Sequence, residues 1–375
     1  MTVSGVQRIC LFILTLSVLA FTACSNPSVF DADEGECTYA AGYAADRSDI
    51  WIPGYWKNGV WYELKNTNSA FDGYVRALAV SGGSVYAAGY ANDRSGASVA
   101  GYWKDGVWTG LANPYGAGCN AFVTSLAVCG SDVYAAGDVS DLSGLCVPGY
   151  WKNGRWTQLA VPSEQAESVY VTAAAVTDTD IYIAGYTGSR SSACTAGYWK
   201  NGVWSNLANV YDSARNAYIT SLVVRGADVY AAGSASDGEG VCVPGYWKNG
   251  VWVELGNVYD GEKSAYVTSF ALAAGGAEYA GGYALNGEGT CTAGYWKNGV
   301  WAELSDPYAT GRNAYVTSIA VSDSAVLAGG VAENALGVYS AGCWKNGQWF
   351  ELPNAYSGAR SGYTAHVNAV AVTAQ

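Results

Sequence analysis

Residues 246–252, Tyr-Trp-Lys-Asn-Gly-Val-Trp, decide the fold of this chain of 375 residues. Similar heptapeptides recur with their first tryptophans 47 to 49 residues apart, and fourteen of the fifteen tryptophans belong to them, Trp51 being the exception. The seven copies begin at Tyr55, Tyr102, Tyr150, Tyr198, Tyr246, Tyr295 and Cys343. Asn-Gly between hydrophobic runs predicts a tight β-hairpin, because both central residues need positive φ. A fixed period of this length predicts one supersecondary unit repeated seven times.

Each repeat is predicted to form four strands, which we name A to D in chain order. Strand A is an alternating run such as residues 122–128, whose period of two is typical of half-buried strands. Strand B, such as residues 86–90, is rich in Ala and Gly, as crowding near a central axis would require. Strand C, residues 244–248, and strand D, residues 251–255, flank the Asn-Gly turn, so the two tryptophans of a repeat oppose each other.

The two ends of the repeat array complement each other. The first repeat opens with a strand B, residues 39–43, and has no strand A before it. The missing strand A follows the last strand D, at residues 366–372. Joined, the two ends make a seventh four-stranded sheet, which is how β-propellers close their ring. We therefore predict an all-β, seven-bladed β-propeller of four-stranded antiparallel blades over residues 37–375, with an open solenoid as the alternative.

The repeat resembles the kelch type, in which a hydrophobic strand ends in small residues and is followed by a Tyr and then by a Trp that leads an outer strand. The likeness covers about residues 37–373. Strand B usually carries Ala-Gly where the kelch motif has Gly-Gly, and only residues 281–282 and 329–330 keep the glycine pair. The resemblance implies an architecture alone, since folds of this kind host many functions.

The N-terminus resembles that of a bacterial lipoprotein. Arg8 precedes an apolar stretch at residues 9–21, which is typical of a secretory signal peptide and too short for a stable transmembrane helix. The resemblance implies that residues 1–23 are removed, that Cys24 carries the lipid, palmitate included, and that residues 24–36 form a flexible tether. Ser25 after the cysteine implies the outer membrane of a cell envelope. Ordinary signal cleavage nearby is the alternative.

Charge and cysteine usage exclude some classes of partner. A net charge of −12 argues against nucleic acid, which needs a basic patch. The lysines of the seven hairpin turns are expected to ring one face, either as solvated turns or as weak contacts to anionic headgroups or glycans. Cysteines precede strand C in four consecutive repeats, and equivalent points on a seven-fold ring lie too far apart for a disulfide or a shared metal ion. These four are Cys146, Cys194, Cys242 and Cys291.

Catalytic patterns are sparse, and we predict no enzyme, no cofactor and no metal. The single histidine, His366, stands where the other copies of strand A carry Tyr or Phe, which favours a structural role. A catalytic triad or a zinc hydrolase is hard to build with one histidine. The recurring carboxylates are interpreted as edge and turn residues, because an acid/base pair needs two carboxylates in one asymmetric pocket.

The connection between strand D and the next strand A carries the candidate binding residues. Four of the copies have a tyrosine and, four residues later, a basic residue, and we expect them around the central channel on the face that also holds the B-to-C loops; the copies at residues 66–70 and 161–166 lack the tyrosine. The candidates are Tyr211, Arg215, Tyr259, Lys263, Tyr308, Arg312, Tyr356 and Arg360. Tyrosines and guanidinium groups dominate binding hot spots and suit sugar rings and carboxylates. Alternatively, each tyrosine packs over its blade junction and each basic residue fixes the loop.

Three functions follow from these patterns. We favour a non-catalytic binding or scaffold module, monomeric and held at a membrane by its N-terminal lipid, that binds a glycan or an envelope protein through the loop face. A structural envelope protein without a dedicated ligand is the second, and a polysaccharide-active enzyme is the third. Because this chain repeats far more than it departs from its repeat, binding is favoured over catalysis.

Overall fold

The computed structural model describes residues 36–65, 71–162, 168–188, 193–211, 214–256, 258–259, 262–356 and 365–374. Within them the chain forms seven antiparallel sheets of four strands each. In chain order the strands are β1 Glu36–Ala45, β2 Trp51–Lys57, β3 Val60–Glu63, β4 Gly73–Ser81, β5 Ser84–Asn92, β6 Ser98–Lys104, β7 Val107–Gly110, β8 Ala121–Cys129, β9 Asp132–Ser140, β10 Cys146–Lys152, β11 Arg155–Gln158, β12 Ser168–Val176, β13 Ile181–Gly188, β14 Thr195–Lys200, β15 Val203–Leu207, β16 Ala217–Arg225, β17 Asp228–Ser236, β18 Cys242–Lys248, β19 Val251–Glu254, β20 Ala265–Leu272, β21 Glu278–Leu285, β22 Cys291–Lys297, β23 Val300–Glu303, β24 Ala314–Val321, β25 Val326–Glu333, β26 Tyr339–Lys345, β27 Gln348–Glu351 and β28 Ala365–Ala374.

The seven sheets are the blades of a closed ring. Blades 1 to 6 each use four consecutive strands, starting at β4, β8, β12, β16, β20 and β24. Blade 7 has the order β28-β1-β2-β3, with Glu36 paired to Ala374 and Ala44 paired to Ala365. The A strands contact one another around the ring, including β24 with β28 and β28 with β4, so they are the innermost strands. The predicted seven-bladed β-propeller, closed by its terminal strands, is confirmed.

The first tryptophan of each repeat holds two blades together. Its side chain is 0 or 1% exposed in all seven copies, and it lies against the second tryptophan, as in the 4.5 Å between the ring centroids of Trp199 and Trp204. Its indole Nε1 donates to a backbone oxygen in the connection from the preceding blade, at 2.9 Å from Trp199 to Ala160. The other donor and acceptor pairs are Trp56 and Pro353, Trp103 and Lys65, Trp151 and Ala112, Trp247 and Ala208, Trp296 and Gly256, and Trp344 and Ser305.

The hairpin turns have the predicted backbone and a further hydrogen bond. In the turn after β14, φ is 51° at Asn201 and 84° at Gly202. The Asn201 Oδ1 accepts the N–H of Ile181 at 2.9 Å, which ties the turn to the start of strand B. The turn residues that accept in this way are Asn58, Asp105, Asn153, Asn201, Asn249, Asn298 and Asn346. The Asn-Gly motif therefore fixes both the hairpin and its attachment to the sheet.

A β-bulge interrupts strand A in every blade. In blade 4 the pairing with strand B jumps from Ile219 to Ser221, leaving Thr220 as the extra residue. The glycine opposite, Gly233, is forced by this bulge, because a Cβ there would lie 1.9 Å from the Tyr218 carbonyl oxygen. The crowding predicted for strand B is real at this position, and its cause is the bulge in strand A.

The predicted leader, the lipidated Cys24 and residues 24–35 of the predicted tether lie outside the described residues. Glu36, the last residue of that tether, is instead the first residue of β1, where it pairs with Ala374. A search of the described residues for a helix long and apolar enough to cross a membrane finds none.

Candidate ligand site at the channel mouth

The propeller has two unlike faces. The Asn-Gly turns lie on one of them, which we call the turn face. The D-to-A connections and the B-to-C loops share the other, as the bond from Arg215 Nη2 to the Gly238 oxygen at 2.8 Å shows. We call this second face the loop face.

On the turn face, six hairpin lysines lie over the tyrosine that begins the neighbouring strand B. Lys248, for example, places its Nζ 4.9 Å from the centroid of the Tyr230 ring. The other pairs are Lys57 and Tyr39, Lys104 and Tyr86, Lys152 and Tyr134, Lys200 and Tyr182, and Lys297 and Tyr279. These six lysines thus pack on aromatic side chains of the sheets themselves.

The predicted binding tyrosines lie at the outer part of the loop face. Each hydroxyl donates to a strand D carboxylate of the next blade, as from Tyr308 to Glu351 at 2.9 Å and from Tyr259 to Glu303 at 3.1 Å. The same bond joins Tyr211 to Glu254 and Tyr356 to Glu63. Strand D is the outermost strand, so the expectation that these rings surround the central channel is wrong.

These tyrosines tie adjacent blades together, whatever else they do. Burial, together with the hydrogen bond to Glu254, raises the pKa of Tyr211 to about 12. Tyr115, which was not among the predicted residues, holds the equivalent position in the connection from blade 1 to blade 2. Its hydroxyl donates to the side-chain oxygen of Gln158 at 3.2 Å.

The basic residues of the same connections hold the loops. Arg215 bonds the Gly238 oxygen, as noted above, and Arg312 forms an ion pair with Glu333 at 2.8 Å. Lys263 is half-buried, and Arg360 lies outside the described residues. The part that these eight residues play in ligand binding stays a prediction.

Aromatic side chains instead surround the mouth of the channel. They come from the start of strand A and the end of strand B, and they meet edge to face across blade boundaries. The ring centroids are 5.0 Å apart for Tyr43 and Tyr74 and 4.9 Å apart for Tyr90 and Phe122. The same contact joins Tyr186 to Tyr218 and Tyr283 to Tyr315. Edge-to-face packing fixes the rings in a rigid collar.

The repeat is broken at three positions that meet in one sector of this collar, where blade 7 adjoins blade 1: Trp51, Arg76 and His366. The Arg76 position is filled elsewhere by Thr124, Thr172, Thr220, Thr268, Thr317 and Asn368. The His366 position is filled elsewhere by Tyr74, Phe122, Tyr170, Tyr218, Tyr266 and Tyr315. The Trp51 position is filled elsewhere by Ser98, Cys146, Cys194, Cys242, Cys291 and Tyr339.

Arg76 is the bulge residue of β4 and lies among aromatic rings. Its Nη2 donates to the Tyr90 hydroxyl at 3.0 Å. The guanidinium carbon is 5.6 Å from the Tyr90 ring centroid and 5.7 Å from that of Tyr74, within the range of cation–π attraction. This places a permanent positive charge in the collar.

His366 and Trp51 complete the sector around Tyr43. The His366 ring stacks on Tyr43 with centroids 5.1 Å apart, and Trp51 meets Tyr43 edge to face at 5.1 Å. The backbone N–H of Trp51 donates to Asp72 Oδ1 at 2.9 Å. Burial, helped by the nearby Arg76 charge, lowers the pKa of His366 to about 4, so its imidazole is neutral at pH 7. We define the mouth cluster as Tyr43, Trp51, Tyr74, Arg76, Tyr90 and His366.

One buried acid stands apart from the mouth cluster. Asp138 in β9 occupies the position that Tyr90 holds in blade 1, and it is 7% exposed. Burial raises the pKa of Asp138 to about 7, against a lowering by the hydrogen bond from the Val171 backbone. Among the described residues, no group of three or more His, Cys, Asp or Glu is placed to hold a metal ion.

His366 was recognisable in the sequence as a substitution at a repeat position, whereas Arg76 was not among the predicted site residues. The signal was available in the column of threonines that Arg76 interrupts. What the sequence does not reveal is that the bulge turns this residue toward the collar, beside Tyr90.

No protein-family model matches the chain, and no curated protein matches it. Several solved structures do match the chain. A puromycin-hydrolyzing peptidase of Mycobacterium tuberculosis aligns with a TM-score of 0.53 and 10% identity over 92% of this chain and 54% of that protein. A puromycin hydrolase aligns with a TM-score of 0.51 and 10% identity over 90% of this chain and 56% of its own. This chain thus spans little more than half the length of either enzyme.

A fungal lectin from Aleuria aurantia, a six-bladed β-propeller, aligns over 74% of this chain and 93% of its own with 11% identity. Its TM-score of 0.39 is too low to carry an argument. At 10% identity the two hydrolase alignments bear on the fold alone.

Proposed function

We propose that this protein is a non-catalytic recognition module that binds a glycan at the mouth of its central channel, on the loop face. One observation carries the proposal. The substitutions Trp51, Arg76 and His366 come from three separate strands, yet they meet in one sector of the channel mouth. A ring of repeats needs no such asymmetry for its stability, whereas a dedicated ligand site does.

The chemistry of the mouth cluster suits a sugar. Tyr74 and Trp51, both packed edge to face on the buried Tyr43, offer rigid aromatic surface, on which the C–H faces of a sugar ring pack well. Phenol hydroxyls and the Arg76 guanidinium supply donors for ring hydroxyls. Tyr, Trp and Arg are also the residues enriched in binding hot spots of protein partners, so an envelope protein is the second ligand class.

We also propose that the propeller is held in a bacterial cell envelope by a lipid on Cys24. The support is the sequence of residues 8–25 alone. Metabolic labelling with a palmitate analogue, with and without Cys24→Ala, tests this part. Label that persists on the variant would overturn it.

Glycan-array binding of the full chain tests the function. In the mouth variant, Trp51→Ser, Arg76→Thr and His366→Tyr each restore a residue that the repeat carries elsewhere, so the fold should survive. The matched control changes Tyr211, Tyr259 and Tyr308 to Phe, which removes their hydroxyls from the outer part of the loop face and leaves the rings that pack at the blade junctions. We expect the mouth variant to lose binding and the control to keep it.

The opposite pattern would move the site to the outer tyrosines. An array on which the parent chain binds no glycan would overturn the proposal and favour an envelope protein as partner.

A further inference from the structure

We infer that the ligand of the mouth cluster is an acidic sugar, whose carboxylate pairs with Arg76 while its ring lies on the neighbouring aromatic side chains. The inference rests on the proposed function and adds to it the charge of the ligand. It assigns the decisive contact to one residue, Arg76.

The fold does not require an arginine at this position. In blade 2 the bulge residue Thr124 donates its Oγ1 to the Val171 oxygen of the next A strand at 2.9 Å. Thr220, Thr268 and Thr317 make the equivalent bond. Asn368 reaches the Val75 oxygen in the same way, at 2.7 Å. A short polar side chain therefore suffices for this bond in five blades, whereas the Arg76 guanidinium lies at the Tyr90 hydroxyl.

The position of the guanidinium suits carboxylate recognition. The Tyr90 hydroxyl accepts one of its five N–H donors, which helps to fix the plane of the group. A fixed guanidinium fork matches the two oxygens of a carboxylate, and a charge-assisted pair of this kind is stronger than a neutral hydrogen bond. The half-buried setting among aromatic rings further strengthens the attraction, because it lowers the local dielectric.

The surroundings of Arg76 decide which anions it can bind. The net charge of the chain is −12, so the chain as a whole does not attract anions and the attraction has to come from Arg76 itself. His366, with its pKa lowered to about 4, is neutral at pH 7, so it offers the ligand a flat uncharged surface. Aromatic walls give a small hydrated anion little to bind, but they suit a carboxylate carried on a sugar ring.

The test measures charge and shape separately. The full chain is titrated calorimetrically with trigalacturonate, with its methyl ester, which keeps the shape but not the charge, and with inorganic sulfate. An array of uronic and sialic glycans beside their neutral parents widens the choice of acid. We expect acidic glycans to bind and the ester to bind at least tenfold more weakly, as loss of a charged hydrogen bond predicts.

Three variants locate the effect. Arg76→Thr restores the repeat residue and should lower the affinity for the acid at least tenfold while the melting temperature holds or rises. Arg76→Lys keeps the charge but loses the fork, so its affinity should lie between the two. Arg155→Val, at an exposed site in β11, removes the same charge and also restores a repeat residue, and it should leave binding unchanged.

Each contrary result is decisive. Equal binding of acid and ester, unaffected by Arg76→Thr, would overturn the inference and leave the proposed function standing. Binding of sulfate with the same dependence on Arg76 would make this a site for small anions, and the acidic sugar would be wrong. If only neutral glycans bind, the charge is wrong, and if none binds, the proposed function fails as well.

Discussion

At the scale of single residues, the first tryptophan of each repeat couples burial to a directional bond. Trp199 is fully buried and donates its Nε1 to the Ala160 oxygen of the preceding connection. We predict that Trp199→Phe lowers the free energy of unfolding by about 1–3 kcal/mol, because the bond is lost and a carbonyl is left unpaired. Urea denaturation measures this change.

Trp204, the half-buried second tryptophan of the same hairpin, provides the matched control. Trp204→Phe removes the same ring atoms from a less buried site, so its cost should be smaller. Equal losses would mean that ring volume, and not the bond between blades, sets the effect.

His366 and Asp138 make the unfolding free energy depend on pH in opposite directions. The pKa of His366 falls from 6.5 to about 4 on folding, so the unfolding free energy rises as pH increases between these values. The pKa of Asp138 rises from 3.8 to about 7 on folding, so the unfolding free energy falls as pH increases over nearly the same range. Each slope is at most about 1.4 kcal/mol per pH unit. The two slopes should nearly cancel in the parent chain.

Single substitutions should expose each slope. His366→Tyr removes the rising part, so this variant should lose stability steadily from pH 4 to pH 7. Asp138→Asn removes the falling part and should gain stability over that range. Urea denaturation at pH 4, 5.5 and 7 measures both, and parallel profiles for the two variants would contradict the assignment.

At the scale of the element, the hairpin turn is the most demanding part of the repeat. Asn201 combines a positive φ of 51° with an Oδ1 that accepts from the Ile181 N–H. We predict that Asn201→Ala costs about 2 kcal/mol, since alanine tolerates left-handed backbone poorly and lacks the acceptor. Chemical denaturation measures the loss.

Asp105 supplies the control for this prediction, because it already replaces asparagine in blade 1 and its Oδ1 accepts the Val85 N–H at 2.9 Å. Asp105→Asn keeps the acceptor and the backbone, so stability should change little. A loss as large as that of Asn201→Ala would point to charge instead of turn geometry.

Elements were predictable from the sequence because alternation and the Asn-Gly signal are local. Residues 122–128 lie within β8, as predicted, whereas the predicted strand D at residues 251–255 extends one residue past β19. The bulge shifts the core-facing positions of strand A by one residue, from Ala217 and Ile219 to Leu222 and Val224 in blade 4, and the strict period of two predicted for this strand did not include that shift. The bulge decides where the Arg76 side chain points. The strands were therefore predictable from the sequence, but the mouth cluster was not.

At the scale of the whole molecule, ring closure was predictable from the chain ends, whereas the place of the outer tyrosines was not. A D-to-A connection runs from the outermost strand to the innermost, so a residue's distance from the axis depends on how far along the connection it stands. Tyr308 follows β23 by only a few residues and is still over the outermost strand of the next blade, bonded to Glu351.

Closure of blade 7 predicts a contrast between two rearranged chains. A chain that stops after residue 364 lacks β28, so β1 becomes an exposed edge and two blade junctions lose their inner strand. We expect it to lose cooperative thermal unfolding. A circular permutant that joins Ala374 to Glu36 by a short linker and opens between Ala117 and Gly118 should keep it.

The permutant is the control, because Glu36 and Ala374 are already paired and the new ends fall beside glycines in an exposed connection. Calorimetry distinguishes the two chains. A cooperative transition in the truncated chain would show that the ring does not need β28 for its closure.

The shared blade also gives the molecule a direction. Strand β1 begins beside the turn at Asn58, whose Oδ1 accepts the Thr38 N–H, and β28 ends next to it, at Ala374. Both ends therefore leave from the turn face, on the far side of the disc from Arg76. In a chain anchored through the segment before Glu36, the turn face would lie toward the anchoring surface. The channel mouth would then lie on the opposite side, accessible to ligands in solution.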